Sequence, residues 1–299
     1  MKTVSVISGK GGTGKTSLVA AFADIWKPLV VADCDVDAAD LHLILAPEII
    51  QMDDFSGGKT AVIDPEFCRG CGTCFDVCRY GAILPLHKAN RFSENIYEIN
   101  SLSCEGCGVC HWNCPYQAII FEDENNGKWF VSRTRTGPMV HAELIPGAEN
   151  SGKLVTLVRQ KAESVAQEKK LNLILVDGSP GIGCPVIASL TGADLAIVVT
   201  EPTLSGLHDC KRVIALSLQM SIPIAVIINK WDINPEITQQ INGFLDTVDC
   251  VYKGCISYDT MITKAQIQRK SITELPESRV SSEIKEISNA LNLILNEHS

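Results

Sequence analysis

No stretch of this sequence stays apolar for long enough to cross a bilayer. The most hydrophobic runs, residues 173–176, 195–199 and 222–228, contain at most seven residues, whereas a membrane-spanning helix needs about 20. The first ten residues also lack the basic, apolar and small-residue regions of a secretory signal peptide. We therefore expect a cytoplasmic protein without a membrane partner.

Positive charge is scarce as well. Lysine and arginine number 26 against 35 aspartates and glutamates, which gives a net charge of −9. Proteins that bind nucleic acid without sequence preference usually present a basic face, so we expect no nucleic-acid partner. Residues 281–296 carry apolar side chains at helical spacing, but Lys285 is the only lysine or arginine from position 281 onward. Anionic lipid would not attract such a helix, so we expect it to pack on the protein's own core.

The sequence does contain a regular alternation of strand-like and helix-like segments. Strands are predicted at residues 3–8, 29–32, 173–176, 195–200, 223–228 and 251–256, and helices at residues 16–26, 152–169, 184–191, 204–220 and 235–246. Buried runs of valine, isoleucine and leucine separated by helices indicate a covered parallel sheet. The predicted fold class is therefore α/β, with a mostly parallel sheet and helices on both faces.

This alternation stops between about residues 64 and 123. The segment is rich in cysteine and glycine and contains an internal repeat, because residues 68–83 resemble residues 104–119. A repeat of short elements within an α/β chain predicts an inserted domain. We therefore assign residues 64–123 to a small α+β insert, and residues 1–63 and 124–299 to the two parts of the α/β domain.

Eight of the 13 cysteines form the repeat. Each run has the spacing C-x2-C-x2-C-x3-C, in which three thiolates hold one [4Fe–4S] cluster and the fourth reaches the other cluster. The predicted ligand sets are Cys68, Cys71, Cys74 and Cys114 for one cluster, and Cys104, Cys107, Cys110 and Cys78 for the other. The runs resemble bacterial two-cluster ferredoxins over roughly 60 residues, although Arg79 stands where that family has a proline. Two zinc sites are the alternative, but zinc usually takes separated pairs of ligands.

A second motif occupies residues 9–16, where Gly-Lys-Gly-Gly-Thr-Gly-Lys-Thr satisfies the P-loop pattern G-x-x-x-x-G-K-[ST]. It lies between a predicted strand and a predicted helix, whose N-terminus favours phosphate. In such a loop backbone N–H groups surround the phosphates, Lys15 neutralises the β- and γ-phosphates, and the Thr16 hydroxyl binds Mg²⁺. The predicted nucleotide-binding residues of this segment are Gly9, Lys10, Gly11, Gly12, Thr13, Gly14, Lys15, Thr16 and Ser17.

The early lysine of this loop, Lys10, makes the motif resemble the deviant P-loop of the MinD/ParA/nitrogenase-iron-protein family. The resemblance covers essentially the whole chain outside the insert. It implies that the nucleotide is ATP, that the protein hydrolyses it, and that Lys10 and Lys15 are catalytic. In that family the early lysine reaches the phosphates of a partner subunit, so the resemblance also implies a homodimer that forms with ATP.

Two acidic segments resemble the switch regions of this family. In the first, the resemblance implies that Asp35 orients the attacking water and that Asp33 lies near Mg²⁺. Asp37 is interpreted as the cap of a following helix. The second segment begins at Asp177, which would hold the Mg²⁺ shell, and ends at Gly181, which would offer its N–H to the γ-phosphate.

The segment that contains Asn229 and Lys230 resembles the base-recognition segment of the family. Asn229 would bond the adenine edge, and Lys230 would belong to the nucleotide site. Asp232 gives a partial similarity to the N-K-x-D motif of GTPases, so GTP is the alternative nucleotide. Residues 254–259 resemble the loop beside the base, with Ser257 in place of the family's proline.

Five cysteines lie outside the repeat. Cys34, Cys210, Cys250 and Cys255 have no cluster spacing with one another and are interpreted as small buried hydrophobic residues. Cys184 follows the second switch segment, where the nitrogenase iron protein has a cysteine that binds a cluster shared between subunits. A third, dimer-bridging cluster at Cys184 is therefore kept as an alternative.

Together these motifs predict an ATP-binding and ATP-hydrolysing iron–sulfur protein with Mg²⁺ and two [4Fe–4S] clusters. The favoured hypothesis couples nucleotide-driven changes of the dimer and the switches to electron transfer with an unknown redox partner. The first alternative is a carrier or assembly ATPase for iron–sulfur clusters. The second is a positioning ATPase that senses redox state through its clusters.

Overall fold

The computed structural model describes residues 1–146 and 151–297, which form eleven β-strands and ten α-helices. The strands are β1 (Lys2–Ser8), β2 (Val30–Asp33), β3 (Glu48–Ile63), β4 (Ile83–Leu86), β5 (Ile96–Ile99), β6 (Ile119–Arg133), β7 (Pro138–Leu144), β8 (Leu173–Pro180), β9 (Leu195–Thr200), β10 (Ile224–Asn229) and β11 (Tyr252–Ile256). The helices are α1 (Lys15–Trp26), α2 (Leu41–Leu45), α3 (Thr73–Val77), α4 (Val109–Asn113), α5 (Ser151–Lys169), α6 (Cys184–Leu190), α7 (Leu204–Gln219), α8 (Pro235–Leu245), α9 (Met261–Ile267) and α10 (Arg279–Glu297).

Nine of these strands form one sheet in the order β11-β10-β9-β1-β8-β2-β7-β6-β3. From β11 to β7 each neighbouring pair is parallel. The register places Asp33, at the end of β2, opposite Asp177 of β8. Because the carboxyl ends of parallel strands meet at one edge of a sheet, residues of the predicted nucleotide site converge there. The sheet confirms the predicted α/β class.

Helices cover both faces of the parallel sheet. On one face α1, α2 and α10 pack against strand residues such as Val6 and Leu175, and on the other α6, α7 and α8 pack against Ile7 and Val198. Successive side chains of a strand point to opposite faces, so two buried faces require the continuous apolar runs seen in the sequence. The C-terminal helix contributes Ile284 to the first of these cores, as expected. Within the described residues, every helix falls short of the length or the hydrophobicity that a membrane-spanning segment requires.

The chain divides into two compact units. The first comprises Met1–Asp53, Lys128–Leu144 and Ser151–Ser299, and the second Asp54–Gly127 with Ile145–Asn150, as far as these residues are described. The predicted insert, residues 64–123, falls within the second unit. That unit is longer than the cysteine repeat because β3 begins at Glu48 and β6 continues to Arg133, so both unit boundaries fall inside long strands.

In the second unit, the two halves of the cysteine repeat fold alike. Helices α3 and α4 each begin after a glycine in the left-handed region, Gly72 (φ 80°) and Gly108 (φ 73°). The residues that follow these helices, Cys78 and Cys114, share a φ of −77° and a ψ of 109°. The antiparallel pair β4–β5 adds Ile83 to a small core that consists largely of cysteine and isoleucine side chains. The sequence repeat is therefore a structural repeat.

Candidate nucleotide and cluster sites

The P-loop joins β1 to α1 at the carboxyl edge of the sheet. Gly12 and Gly14 adopt left-handed backbone conformations, with φ of 80° and 90°, and α1 begins directly after Gly14. A Cβ on Gly9 would lie 2.5 Å from the Cβ of Asp209, and a Cβ on Gly14 would collide with the Asn229 amide. The loop therefore needs glycine for its backbone conformation and for its close packing.

Lys15 is buried between two carboxylates. Its Nζ lies 2.6 Å from Asp177 Oδ1 and 3.4 Å from Asp35 Oδ2. Burial alone would lower the pKa of Lys15, but the charges of Asp177 and Asp35 outweigh it and raise the pKa. The ammonium is thus held protonated, beside the loop that would hold the phosphates.

Asp33 and Asp177 together form a buried acidic pair. Asp33 Oδ2 and Asp177 Oδ2 are buried and have no hydrogen-bond partner within the described part of the chain. Burial, followed by the negative charge of Asp177, raises the pKa of Asp33. Buried carboxylate oxygens without partners are costly and suit a hard divalent cation or its water shell. The residues present therefore fit Mg²⁺, with the half-buried Thr16 in the first turn of α1.

The two predicted switch segments are joined by hydrogen bonds. Ser179 Oγ donates to the Cys34 carbonyl over 2.7 Å, and the Cys34 N–H donates to the Asp177 carbonyl over 2.8 Å. The Gly181 N–H, predicted to bind the γ-phosphate, donates to the Ser8 carbonyl over 2.8 Å. It would have to leave Ser8 to contact a phosphate.

The interpretation of Asp37 as a helix cap is wrong. The next helix, α2, begins at Leu41, and its cap position is Asp40, whose side chain makes no capping hydrogen bond. Asp37 is exposed, whereas Asp35 is half-buried against Lys15. Of these two acids, Asp35 is the one within ion-pair distance of Lys15, at 3.4 Å.

Lys10 and Lys230 share a carboxylate that the sequence motifs did not reveal. Lys10 Nζ lies 2.7 Å from Glu201 Oε1 and donates to the hydroxyls of Thr203 and Ser205, each at 3.1 Å. Lys230 Nζ lies 3.3 Å from Glu201 Oε2. Burial would raise the pKa of Glu201, but the hydrogen bond and charge of Lys10, with the charge of Lys230, lower it. The position of Glu201 directly after β9 was the available signal.

A cavity of about 200 Å³ lies beside the P-loop. Its lining includes Gly14, Asn229, Tyr258, Ile262 and Ile272. The Asn229 amide nitrogen donates to the Thr13 carbonyl over 2.7 Å, which leaves its second N–H and the amide oxygen for contacts with a base. The structure therefore brings the predicted base segment to a pocket with apolar walls, next to the phosphate loop.

Two neighbours of this cavity depart from the expectations. Asp232, the basis of the GTP alternative, accepts from the Tyr258 N–H over 2.8 Å and is absent from the described lining. Ser257 stands where the family has proline; its N–H and Oγ bind Glu283 over 2.7 and 2.6 Å. A proline could not donate the first of these bonds, so Ser257 and Glu283 fix the loop in another way.

The second unit contains two cavities lined by cysteines. One is lined by Cys68, Cys71, Cys74 and Cys114, and the other by Cys78, Cys104, Cys107 and Cys110. Each cavity thus takes three thiols from one run and one from the other. Among residues 1–146 and 151–297, no three His, Cys, Asp or Glu side chains converge as ligands of a single ion do. The thiols surround a volume instead of a point, which suits a multi-iron cluster.

Burial opposes ionisation of these thiols. It raises the pKa of Cys74 to about 11 and also raises the pKa of Cys110. Thiolate ligands in such surroundings need a metal group to stabilise their charge. The donor set therefore fits iron–sulfur clusters.

The remaining cysteines differ in exposure. Cys34 and Cys210 are buried and Cys250 is half-buried, but Cys255 is exposed, so the expectation of a buried residue is wrong there. Cys255 lies on the edge strand β11, which has only one neighbour in the sheet. Cys184 is exposed at the first residue of α6, and the bridging cluster proposed there stays an alternative.

Known proteins resemble this chain in one domain and over most of its length. A family described as a 4Fe-4S dicluster domain matches residues 67–118. An uncharacterized protein of Methanocaldococcus jannaschii is 32% identical over 235 residues, which cover 77% of this chain and 79% of that protein. A second uncharacterized protein of that organism is 28% identical and covers 78% and 82% of the two chains.

Solved structures share the fold. The septum site-determining protein MinD of Pyrococcus horikoshii, in complex with Mg-ADP, has a TM-score of 0.58 and 16% identity, with 100% of this chain and 98% of that chain covered. The chain belongs to the same family as the 32% identical Methanocaldococcus jannaschii protein, and its fold is that of the MinD/ParA P-loop ATPases. A ParA family ATPase of Chlorobium tepidum gives a TM-score of 0.55 at 16% identity, with 96% and 98% of the chains covered. Together with the dicluster match, this confirms the predicted MinD/ParA ATPase fold with a ferredoxin domain.

Proposed function

We propose that this protein binds and hydrolyses ATP and couples the resulting changes in its switch segments to electron transfer through two [4Fe–4S] clusters. The observation that carries the ATPase part is the buried pair Asp33 and Asp177. Each has one oxygen without a hydrogen-bond partner in the described part of the chain, and the other oxygen of Asp177 lies 2.6 Å from Lys15 Nζ. The ferredoxin insert supports the coupling, because it lies in sequence between the switch aspartate Asp35 and Asp177.

Each part of the nucleotide would have its own residues. The P-loop backbone and Lys15 would hold the phosphates, and the cavity beside Asn229 would take the adenine. Mg²⁺, held by Thr16 and through water by Asp177, would supply neutralisation of phosphate charge. A related ATP-binding protein of Methanocaldococcus jannaschii is 23% identical over 236 residues, although this chain spans only 63% of its length.

Asp35 is the candidate for orienting the attacking water. Burial raises the pKa of Asp35, while the charge of Lys15 opposes that rise. Its second carboxylate oxygen can accept a hydrogen bond from water while Lys15 holds the first. In this role Asp35 positions the nucleophile, and Lys15 stabilises charge on the phosphates.

Lys10 would join two subunits. To reach the phosphates of a partner, its Nζ must leave Glu201, Thr203 and Ser205. Glu201 would keep Lys230 as a partner after that move, so its charge would not be left unpaired. ATP would thus favour the homodimer by offering Lys10 more negative charge than Glu201 does.

The two cysteine cavities would hold the clusters. Cys68, Cys71, Cys74 and Cys114 would bind one and Cys104, Cys107, Cys110 and Cys78 the other. The clusters would supply one-electron storage. The protein would control it by surrounding the sulfur ligands with the isoleucine-rich core of the second unit.

The deciding experiment is EPR of the reduced protein with MgATP, with MgADP and without nucleotide. We expect two interacting [4Fe–4S] signals whose shape, and whose rate of reduction, depend on ATP. Lys15→Ala is the matched control, since it removes the phosphate-binding ammonium from the first unit and leaves the cysteines intact. Reduction at equal rates under all three conditions would overturn the coupling. Transfer of cluster iron to an apo-protein would favour the cluster-carrier alternative instead.

A further inference from the structure

Charge is unevenly distributed within the second unit. Residues 79–91 contain Arg79, Lys88 and Arg91 and no acidic residue, whereas residues 93–127 contain six acidic residues and no lysine or arginine. The two cysteine cavities also differ in charge, since Arg69 lines the first and Glu105 lines the second. The surroundings of the first cavity therefore favour an anion more than those of the second.

Two arginines beside the first cavity stack on exposed aromatic rings. The Arg69 guanidinium carbon lies 4.1 Å from the centroid of Phe92 and 5.1 Å from that of Tyr116. The Arg91 guanidinium carbon lies 4.6 Å from the Phe92 centroid. Phe92 and Tyr116 are 41% and 44% exposed. We call Arg69, Arg91, Phe92 and Tyr116 the arginine–aromatic face.

Hydrogen bonds connect this face to the backbone of one predicted cluster ligand, Cys68. The Asn90 side chain donates to the carbonyls of Cys68 and Pro65, each over 2.6 Å. Its oxygen accepts from the N–H groups of Phe92 and Ser93 over 2.8 and 2.9 Å. The loop that carries Arg91 and Phe92 is thereby held beside Cys68. Binding of a partner would therefore cost little conformational entropy in this loop, because the loop is already ordered.

The charges of the face are not neutralised within the chain. None of the ion pairs formed by the described residues involves Arg69 or Arg91. The whole chain carries a net charge of −9. An anionic protein would therefore be repelled by most of the surface and attracted here, which steers its encounter.

We propose that the arginine–aromatic face docks a small acidic electron-carrier protein. Its carboxylates would pair with Arg69 and Arg91, and its apolar rim would cover Phe92 and Tyr116; arginine and aromatic residues are enriched at protein interfaces for these reasons. Arg69 and Tyr116 also line the cavity of Cys68, Cys71 and Cys114, so the partner would dock next to that cavity. This inference rests on the proposed electron-transfer function.

Binding is the primary test. The protein with both clusters is titrated calorimetrically with an acidic two-cluster bacterial ferredoxin at about 20 mM and about 500 mM salt, conditions that differ strongly in charge screening. We expect binding at low salt and its loss at high salt. The double variant Arg69→Gln with Arg91→Gln should bind roughly tenfold more weakly at low salt.

The control is Lys264→Gln with Lys270→Gln, which makes the same change in net charge at two exposed residues of the first unit. It should bind like the wild type, and Arg91→Lys, which keeps the charge, should lose less affinity than Arg91→Gln. Iron content is measured for each variant, so that loss of a cluster is separated from loss of docking. An equal loss in the lysine control, salt-independent binding, or no binding at all would overturn the proposal.

A further arm separates this inference from the function on which it rests. The same titration is made with a single-stranded oligonucleotide. If the oligonucleotide binds through Arg69 and Arg91 and ferredoxin does not bind, the face is a nucleic-acid site and the proposal is overturned. Photochemical reduction of the clusters without a protein donor tests the ATP dependence independently. Ferredoxin binding at the face with no effect of ATP would refute the coupling and leave the docking site in place.

Discussion

Asp35 and Asp37 are two residues apart but occupy different surroundings. Asp35 Oδ2 lies 3.4 Å from Lys15 Nζ, while Asp37 is exposed. We expect Asp35→Asn to lower the rate of ATP hydrolysis by about 100-fold or more, the range for removal of a group that orients or deprotonates a nucleophile. ATP affinity, measured by calorimetry, should change little, because Lys15 keeps Asp177.

Asp37→Asn is the matched control for this experiment. It removes the same charge from the same segment and should leave the rate of hydrolysis within about twofold, as is usual for an exposed residue without contacts. Equal loss of rate in both variants would mean that the segment needs negative charge in general, and would remove Asp35 from its assigned role.

His141 gives the protein a pH-dependent stability. Burial, assisted by the charge of His42, lowers the pKa of His141 to about 4; its Nε2 lies 2.9 Å from Ser132 Oγ. The unfolded chain, with an ordinary pKa near 6.5, therefore binds the proton first. Stability present above pH 6.5 is lost as the pH falls, by about 2 kcal/mol between pH 6.5 and 5.

His141→Gln is expected to remove this part of the pH dependence, because glutamine does not titrate and can still bond Ser132. The measurement is the free energy of unfolding in urea at pH 7, 6 and 5 for both proteins. Loss of the clusters at low pH affects both proteins alike and cancels in the difference. Parallel curves for the two proteins would show that His141 is not the source.

At the scale of elements, the cysteines that follow α3 and α4 lead to a prediction about which cluster each cysteine variant loses. The cysteines that directly follow these helices, Cys78 and Cys114, each line the cavity formed mainly by the other cysteine run. Cys114→Ser should therefore lose the same cluster as Cys71→Ser, and Cys78→Ser the same one as Cys107→Ser. Each variant should fall from about eight to about four irons per chain.

EPR of the remaining cluster distinguishes the two classes of cysteine variant. We expect the spectrum of Cys114→Ser to match that of Cys71→Ser and to differ from that of Cys78→Ser. Cys184→Ser serves as a control that should retain both clusters. Matching spectra for Cys114→Ser and Cys107→Ser would show that each run binds its own cluster.

Comparison of the predicted with the observed strands and helices shows which elements the sequence pattern reveals. The six predicted strands all correspond to parallel strands of the sheet. Apart from the edge strand β11, whose residues alternate in exposure, they are apolar runs because both of their faces are buried. Strand β3 was missed because seven of its first eight residues, Glu48–Phe55, are exposed and give no apolar pattern. Helix α2 is only five residues long, too short for a helical period to emerge.

The candidate sites were predictable to a similar degree. Glycine and lysine spacing located the P-loop because that chemistry depends on neighbouring residues in the chain. Glu201 was missed because its link to Lys10 joins residues far apart in sequence and belongs to no short motif. The contact between the left-handed Gly14 and Asn229 was not predictable from a short motif either, because the sheet brings these distant residues together.

For the whole molecule, the proposed dimer depends on Lys10. We expect the Asp35→Asn variant, in which hydrolysis is slow, to become dimeric with MgATP and to stay monomeric with MgADP, as measured by light scattering after size exclusion. Adding Lys10→Ala should abolish the dimer, since no ammonium then reaches the partner's phosphates. Adding Lys230→Ala, which removes the other lysine paired with Glu201, should leave a dimer. Dimers that form regardless of Lys10 would contradict the assigned role.

The path of the chain into and out of the second unit has an evolutionary consequence. Strands β3 and β6 are neighbours in the sheet, and the Asn126 side chain accepts from the N–H groups of Gly57 and Gly58 over 2.9 and 3.1 Å. The two ends of the segment between Gly57 and Asn126 are therefore joined by hydrogen bonds. Domain insertion is best tolerated where the ends of the inserted segment lie close together. Insertion of the cysteine-containing unit at this pair of strands leaves the order of the other strands in the sheet unchanged.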